Sequence, residues 1–265
     1  MIKFALTMID THSHIYDEAY KEDFEAMIAR AREAGVRKLV MPGIDSSSHE
    51  AMVACADAMP DFAYPAIGLH PTEIYDNWRQ ELQFVYDHFD DRPWVAIGEI
   101  GMDLYWSKER LQEQKEVFCA QLLLAYEKDL PVIIHARDAT EEIFECIKRV
   151  NKPLRGSFHA FTGSYETYRR IKAAGDFMVG IGGVVTFKNA HVAEAVARIP
   201  LEDILLETDA PYLTPVPFRG KRNESAYVRY VADKIATLKG LDWQTVDSVT
   251  TNNAEKLFPF YKKLS

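Results

Sequence analysis

The sequence predicts an α/β fold, specifically a (β/α)8 TIM barrel, on three observations. Short apolar runs without strict alternation recur along the 265 residues, as expected for parallel strands that are covered on both faces. Segments with a helical spacing of apolar residues lie between these runs. The run centres are about 21 to 36 residues apart, the length of a βαβ unit, and eight such units fit a closed barrel better than an open sheet.

Eight apolar runs are the predicted strands. Proline lacks the backbone N–H that a strand interior needs, so Pro65 is expected to open the third strand rather than to lie within it. In chain order, the predicted strands cover residues 8–12, 38–42, 65–70, 95–99, 132–135, 156–160, 177–180 and 204–208.

Helix signals fill the intervals between these strands. Ser47 and Glu50 have the spacing of a capping box after the second strand. Gly35 and Gly175 are expected to end helices just before the next strand. Apolar residues line one face of two helical segments, Phe24, Ile28 and Ala31 in the first and Leu111, Phe118, Leu122 and Ala125 in the fourth.

No linker or low-complexity stretch divides the chain, so we expect a single domain over residues 1–265. The irregular part is a loop over residues 211–225, which follows the eighth strand and carries the cations Arg219, Lys221 and Arg222. This cluster would either meet a polyanion at the barrel mouth or form an ordinary solvated loop. From Ala226 onward, helices are expected to pack on the outside of the barrel.

Composition excludes some classes of function. The formal net charge of −9 argues against a nucleic-acid coat protein, but not against a nuclease whose metal ions supply local positive charge. The three cysteines show no Cys-x-x-Cys spacing and are expected to be buried thiols in a reducing compartment. No run is apolar enough for a signal peptide or a membrane span, which predicts a soluble cytoplasmic protein with no membrane contact and no obligate protein partner.

Six potential metal ligands stand at, or just beyond, the ends of predicted strands. In a barrel of parallel strands every carboxyl end opens onto the same face, so these side chains should converge on one metal site there. Taken singly, such a histidine is as often structural, and a buried carboxylate can serve in an ion pair. The repeated placement favours metal binding. The six residues are His12, His14, Glu99, His135, His159 and Asp209.

The types of ligand indicate a hydrolytic centre. His12 and His14 are two residues apart in an extended segment, so both can bind one ion. Glu99 can bridge two cations with its two oxygens, and Asp209 can bind an ion and take a proton from bound water. Six ligands exceed the three of a single catalytic ion. They suit two divalent ions (Mg²⁺, Mn²⁺ or Zn²⁺) that share Glu99 and a bridging hydroxide and cleave a phosphodiester bond.

Substrate contacts are expected near these ligands. His70 ends the third predicted strand and would contact a substrate phosphate, support a ligand or simply pack. Arg137 follows the fifth strand and would pair with a phosphate oxygen or with Asp138. Phe161 and Tyr105 would each stack on a base or pack at the rim.

Nine motifs occur in order along the chain. They are DTHSH at 10–14, GLHP at 68–71, GEIGMD at 98–103, IHARD at 134–138, FHAFTG at 158–163, VTFKN at 185–189, ETDAPYL at 207–213, RGKRN at 219–223 and NAEKLF at 253–258. Together they resemble the TatD family of metal-dependent deoxyribonucleases, within the amidohydrolase-like superfamily. Ser225 departs from the family pattern, in which proline is common; this concerns the stiffness of the loop and not the ligands.

The resemblance implies a 3′–5′ exonuclease that acts on single-stranded DNA, and sometimes on RNA, with two divalent ions. One ion would be held by His12, His14, Glu99 and Asp209, and the other by Glu99, His135 and His159. The alternatives are a metallohydrolase of a small ester, amide or lactone, a deacylase of misacylated tRNA, and a metal-storing barrel without activity. The last is disfavoured, because an idle site has no need of six ligands.

Overall fold

Within the part of the chain that the structure describes, eight strands form the centre of the molecule, and each is parallel to the strand beside it. The computed structural model describes residues 8–106 and 108–260. Residues 1–7, part of the segment where the sequence predicts no signal peptide, lie outside the described residues. The strands are β1 (Met8–Asp10), β2 (Val36–Pro42), β3 (Ala63–Ala66), β4 (Ile97–Asp103), β5 (Val132–Arg137), β6 (Arg155–Phe158), β7 (Asp176–Ile181) and β8 (Ile204–Leu206).

The strands follow one another around a closed ring, which confirms the predicted (β/α)8 barrel. Regular ladders join β1 to β3 and β4 to β8 in chain order. The backbone bridge Ser13–Ala210 closes the seam between β8 and β1, and the bridge Ile67–Ile97 closes the seam between β3 and β4. The carboxyl ends of all eight strands therefore open onto the same face.

Helices surround the ring, and the predicted inner face of the fourth helix is confirmed, since Phe118 and Leu122 are fully buried. Across residues 8–106 and 108–260, no helix is both long and apolar enough to cross a bilayer. The α-helices are α1 (Phe24–Glu33), α2 (Ser46–Ala58), α3 (Trp78–Asp87), α4 (Leu111–Glu127), α5 (Thr140–Val150), α6 (Tyr165–Ala174), α7 (Val192–Arg198), α8 (Val228–Lys239) and α9 (Trp243–Leu257).

The cap of α2 differs from the predicted one. Asp45 is the N-cap, its carboxylate accepts a hydrogen bond from Ser48 N at 2.9 Å, and Asp45 N donates to the Ser48 hydroxyl at 3.2 Å. The predicted capping box of Ser47 and Glu50 was therefore wrong by two residues. A carboxylate forms a charge-assisted hydrogen bond with a backbone N–H, so α2 begins where Asp45 can make that bond.

Pro65 lies inside β3, so the expectation that it opens the strand was wrong. It is in register with Met41 of β2, and its carbonyl accepts a hydrogen bond from Val95 N at 3.1 Å. The polar groups of Pro65 therefore face β4, where the described residues form an isolated bridge instead of a ladder. A missing N–H on that side removes no ladder bond, which is why proline is tolerated here.

The strands also differ from prediction at the ends that carry the potential ligands. β1 ends at Asp10, so the first histidine motif lies in the loop after it. β4 and β5 pair as far as Asp103 and Arg137, which extends both strands past their predicted ends. As a result, Glu99 and His135 lie within strands, although the sequence predicts that they end them.

The last part of the chain closes the end of the barrel remote from these ligands. Side chains of several strands, including Ile9 and Leu205, share a buried cluster with Phe258 and Phe260. Phe258 is 2% exposed, and its ring centroid is 5.8 Å from that of Phe260. The expectation that everything after Ala226 packs outside the barrel was therefore incomplete, because the residues after α9 form its floor.

We expect Phe258→Ala to lower the free energy of unfolding by about 3 to 5 kcal/mol, because it leaves a cavity under the barrel. Leu123→Ala is the control; Leu123 is 39% exposed on α4, and we expect a loss of less than about 1 kcal/mol. Urea unfolding followed by circular dichroism measures both. Equal losses in the two variants would show that Phe258 is not a core residue.

Candidate metal centre

A single buried carboxylate, Glu99, lies at the centre of the candidate site and is 2% exposed. The ladder between β4 and β5 shifts register between Ile97 and Ile100, an irregularity that can turn a side chain out of the regular alternation. Gly101 has a φ of +141°, and a Cβ there would lie 2.0 Å from the carbonyl oxygen of His135. Glycine therefore allows β5 to approach β4 beside Glu99.

One oxygen of Glu99 faces the histidines of the first motif. Glu99 Oε2 lies 3.1 Å from His12 Nε2 and 3.7 Å from His14 Nε2. These two nitrogens are 3.2 Å apart, and Asp209 Oδ1 lies 3.6 and 3.7 Å from them. Asp209 N donates to His12 O at 2.9 Å, which ties the loop after β8 to the loop after β1. Four of the predicted ligands are thus within reach of one ion.

The other oxygen of Glu99 faces a second pair of histidines. Glu99 Oε1 lies 2.9 Å from His135 Nδ1 and 2.6 Å from His159 Nε2, and these nitrogens are 3.2 Å apart. The rings of His12 and His159 stack with centroids 3.9 Å apart, so the two groups are adjacent. All six predicted ligands therefore lie in one cluster, with Glu99 between its two halves.

Neighbouring side chains set the tautomers of two histidines. The Tyr16 hydroxyl donates to Pro42 O at 2.5 Å, so it accepts from His14 Nδ1–H at 2.9 Å and leaves the Nε2 lone pair facing the site. His135 Nε2–H donates to the Asp103 carboxylate at 2.9 Å, so Nδ1, which lies 2.9 Å from Glu99 Oε1, is the nitrogen left to bind a cation. Such outer partners orient metal-binding imidazoles in proteins. The donor set therefore fits divalent cations.

His70 presents a donor to the same site. It precedes a short 3-10 helix, Pro71–Glu73, and its Nδ1 accepts a hydrogen bond from the backbone N–H of Thr72 at 3.1 Å. Burial lowers the pKa of His70, so the ring is neutral and carries its single proton on Nε2. This Nε2–H lies 3.2 Å from Glu99 Oε1. His70 therefore offers a hydrogen-bond donor, whereas a metal ligand must offer a lone pair.

Burial and close charges separate the pKa values of the ligands. Burial alone would raise the pKa of Glu99, but the imidazoles of His159, His70 and His12 hold it well below its usual value. Burial would lower the pKa of His159, but the carboxylates of Glu99, Glu207 and Asp209 together outweigh it and raise the pKa to about 10. Burial lowers the pKa of His12 to about 4. A cation that binds His159 must therefore displace a proton.

Two buried acids that the sequence analysis did not select support the ligands. Asp10 accepts hydrogen bonds from Thr208 N at 3.0 Å and from its hydroxyl at 2.7 Å, and burial raises the pKa of Asp10 to about 7. Glu207 accepts from Ala160 N at 2.5 Å and lies 3.9 Å from His159 Nδ1, and burial raises its pKa to about 8. Each stands two residues before a ligand or ligand pair in its motif, which is the signal that could have identified them.

The predicted stacking role of Phe161 is not compatible with its position. Phe161 is 7% exposed and belongs to the main hydrophobic core. Its backbone N–H donates to Gly180 O at 2.9 Å, which holds the residue against β7. A buried ring offers no face to a base, so the alternative of packing is the correct one.

The predicted cations lie at the mouth in different environments. Arg137 is exposed, and its guanidinium carbon lies 3.8 Å from the centroid of the Tyr105 ring. Arg222 forms an ion pair with Asp23 at 2.7 Å, so it belongs to the framework of the loop. Arg219 lies over the ring of Phe187 at 4.3 Å and remains exposed. The basic cluster is therefore partly committed to internal contacts.

Comparison with known proteins agrees with this geometry. The family model for TatD related DNase matches residues 9–259. This chain belongs to the TatD family of metal-dependent hydrolases. The relative YabD of Bacillus subtilis (strain 168), described as an uncharacterized metal-dependent hydrolase, is 42% identical over 253 residues, which cover 95% of this chain and 98% of YabD. YjjV of Escherichia coli (strain K12), described in the same words, is 32% identical over 253 residues, which cover 94% of this chain and 97% of YjjV.

Solved structures of TatD proteins have the same fold. The crystal structure of YjjV from Escherichia coli K12 matches with a TM-score of 0.89 and 30% identity, covering 96% of this chain and 98% of that chain. A TatD family hydrolase from Entamoeba histolytica matches with a TM-score of 0.82 at 20% identity, covering 96% and 99%, and this likeness concerns the fold alone. The TatD resemblance expected from the motifs is thus confirmed.

We expect Tyr16→Phe to weaken metal binding by this TatD chain about 10-fold or more, because His14 Nδ1–H loses its acceptor. The matched control is Tyr168→Phe, which removes a hydroxyl bound to Asp203 at 2.5 Å, far from the ligands. Competition with a chromophoric chelator for Zn²⁺ or Mn²⁺ measures the affinities. Equal affinities in the wild type and in Tyr16→Phe would contradict the role given to Tyr16.

Proposed function

We propose that this TatD-family chain hydrolyses phosphodiester bonds as a 3′–5′ exonuclease of single-stranded DNA or RNA. The proposal is carried by one observation, that the two oxygens of Glu99 face two separate groups of nitrogen ligands. Two cations on either side of one carboxylate suit the in-line displacement of a phosphoryl group. The family description, TatD related DNase, is consistent with this chemistry.

The ligands support two divalent ions. Asp209 with the first histidine pair would hold one ion, the second pair would hold the other, and Glu99 would contact both. When bound, the ions would supply the positive charge that polarises the phosphoryl group and acidifies the attacking water. Imidazole suits Zn²⁺ or Mn²⁺, and the two carboxylates also suit Mg²⁺.

Asp209 is the proposed general base. Burial would raise its pKa, but the hydrogen bond to His14 and the charges of His12 and His159 lower it. The carboxylate is therefore ionised at neutral pH and able to accept a proton. Its side chain is 14% exposed, compared with 2% for Glu99, so it is the more accessible of the two acids to water.

His70 is the proposed donor to a phosphoryl oxygen. Its Nε2–H faces the metal ligands, and Thr72 N holds the ring in this tautomer. A donor placed where negative charge develops stabilises the transition state without any rearrangement of the site. The expected contact between His70 and a substrate phosphate is thus retained as part of the proposal.

We expect Glu99→Gln to lower nuclease activity by about 10³-fold or more, because one amide cannot bridge two cations and several kcal/mol of charge stabilisation are lost. The assay follows the 5′-labelled single-stranded DNA as it shortens from its 3′ end. Glu194→Gln, an exposed carboxylate on α7, is the matched control and should retain the wild-type rate.

Two results would contradict the nuclease. Equal activity of the wild type and Glu99→Gln would show a contaminating enzyme. Failure of the wild type to cleave with Mg²⁺, Mn²⁺ or Zn²⁺, together with turnover of a lactone, an ester or a misacylated tRNA, would assign the same metal site to another hydrolytic reaction.

We expect His70→Ala to lower kcat by about 10²- to 10³-fold, the effect of removing one donor to a developing oxyanion. Metal binding should be retained, because the ring offers the site a proton and not a lone pair. Single-turnover rates and chelator competition measure the two properties. His191→Ala, which removes an exposed imidazole, is the control. A large loss of metal affinity in His70→Ala would show instead that His70 is a ligand.

A further inference from the structure

Three side chains form a stacked group beside the mouth of the barrel, Tyr105, Trp106 and Arg137, which we call the rim platform. The Arg137 guanidinium carbon lies 3.8 Å from the Tyr105 ring centroid and 5.4 Å from that of Trp106. The two rings meet edge to face, with centroids 4.9 Å apart and planes at 85°. Trp106 is 72% exposed and Tyr105 is 53% exposed, so much of their aromatic surface faces solvent.

The rim platform is joined to the metal ligands by one carboxylate. Asp103 Oδ2 accepts from His135 Nε2 at 2.9 Å, and Asp103 Oδ1 accepts from the backbone N–H of Tyr105 at 3.0 Å. Leu104 N also donates to Arg137 O at 2.9 Å, so the loop after β4 and the end of β5 form one unit. Arg137 follows the candidate ligand His135 by two residues in β5. Residues two apart in an extended chain are about 7 Å apart, so the platform lies beside the ligands.

The chemistry of the rim platform matches the two parts of a nucleotide. Trp78 and Trp94 are each 4% exposed, so Trp106 is unlike them in leaving its ring uncovered. An aromatic face stacks on any base, and a guanidinium group binds phosphate oxygens through its N–H groups. Stacking on Tyr105 holds the Arg137 guanidinium in place and leaves the donors at its edge available.

We propose that Trp106 stacks on the base of the nucleotide next to the scissile phosphodiester, while Arg137 contacts a phosphate of the same strand. This inference rests on the proposed nuclease activity and assigns it a requirement for an unpaired base. A base in a duplex is already stacked on its neighbours and would have to be extruded first. The rim platform therefore favours single strands without selecting a sequence, because each base has an aromatic face.

The first test compares two oligonucleotides of equal length, one intact and one with abasic residues at its last two 3′ positions. The wild type should prefer the intact strand in kcat/KM. In Trp106→Ala this preference should fall by about 5- to 150-fold, the range for loss of one base–aromatic stack.

Arg137→Gln should lower kcat/KM for both oligonucleotides by the same factor and should reduce the dependence of kcat/KM on salt concentration. The reason is that both oligonucleotides retain their phosphates. Tyr86→Ala, which removes a 39% exposed ring on α3, is the control and should keep the wild-type preference.

The second test measures binding without cleavage. Oligothymidylate is added to Glu99→Gln protein, with and without Trp106→Phe, and tryptophan fluorescence is followed. Quenching that is lost in Trp106→Phe supports the rim platform, because the difference between the two proteins separates Trp106 from the buried Trp78 and Trp94 and from the half-buried Trp243. Absence of such quenching overturns it.

The outcomes separate this inference from the proposed function. Cleavage with an unchanged preference in Trp106→Ala overturns the rim platform and leaves the nuclease intact. If the wild type is a dimer and Trp106→Ala is a monomer with an unchanged preference for the intact strand, the exposed ring belongs to a protein interface. That result overturns the rim platform. If the wild type cleaves neither strand, the proposed function fails, and with it the placement of the base beside a scissile bond.

Discussion

The buried charge of Glu99 is the constraint on which the rest of the site depends. A carboxylate that is 2% exposed has lost its hydration and persists only when donors or opposite charges replace the water. Four imidazoles surround it, from the loops after β1 and β3, from β5 and from the end of β6, namely His12, His70, His135 and His159. The closed ring of parallel strands brings these groups, which are distant in the chain, to one carboxylate. The stability of the barrel and the chemistry of its mouth are thus linked through this one residue.

The histidines of the site have different chemical roles because their outer nitrogens have different partners. Tyr16 and Asp103 accept hydrogen bonds from His14 and His135, which leaves the inner nitrogen of each ring to bind a cation. The backbone N–H of Thr72 does the opposite for His70 and leaves a proton facing the cluster. One set of rings is therefore suited to bind cations and the remaining ring to donate a hydrogen bond. The proposed distinction between metal ligands and a substrate contact rests on these outer partners.

The distribution of charge is compatible with the proposed action of this acidic protein on an acidic polymer. The chain carries a net charge of −9, so an extended strand gains no general attraction to its surface. Part of the basic loop is neutralised internally, as the ion pair of Arg222 with Asp23 shows. Cations bound at Glu99 and the guanidinium group of Arg137 would concentrate the positive charge at the mouth. Recognition confined to a few nucleotides would suit the proposed exonuclease, which acts at strand ends.

The barrel, the six candidate ligands and the family follow from the sequence alone. Apolar runs at βαβ spacing define the ring, and a ring of parallel strands brings together the residues that follow them, wherever they stand in the chain. Local pattern could not decide the register shift in β4 that places Glu99 within a strand, nor the position of Pro65 inside β3. Both depend on what the neighbouring strand offers to the backbone. Nor could it show that Phe161 is buried while Trp106 is exposed. Burial and the proton positions of histidines are properties of neighbours distant in the chain, and only the tertiary structure brings those neighbours into contact.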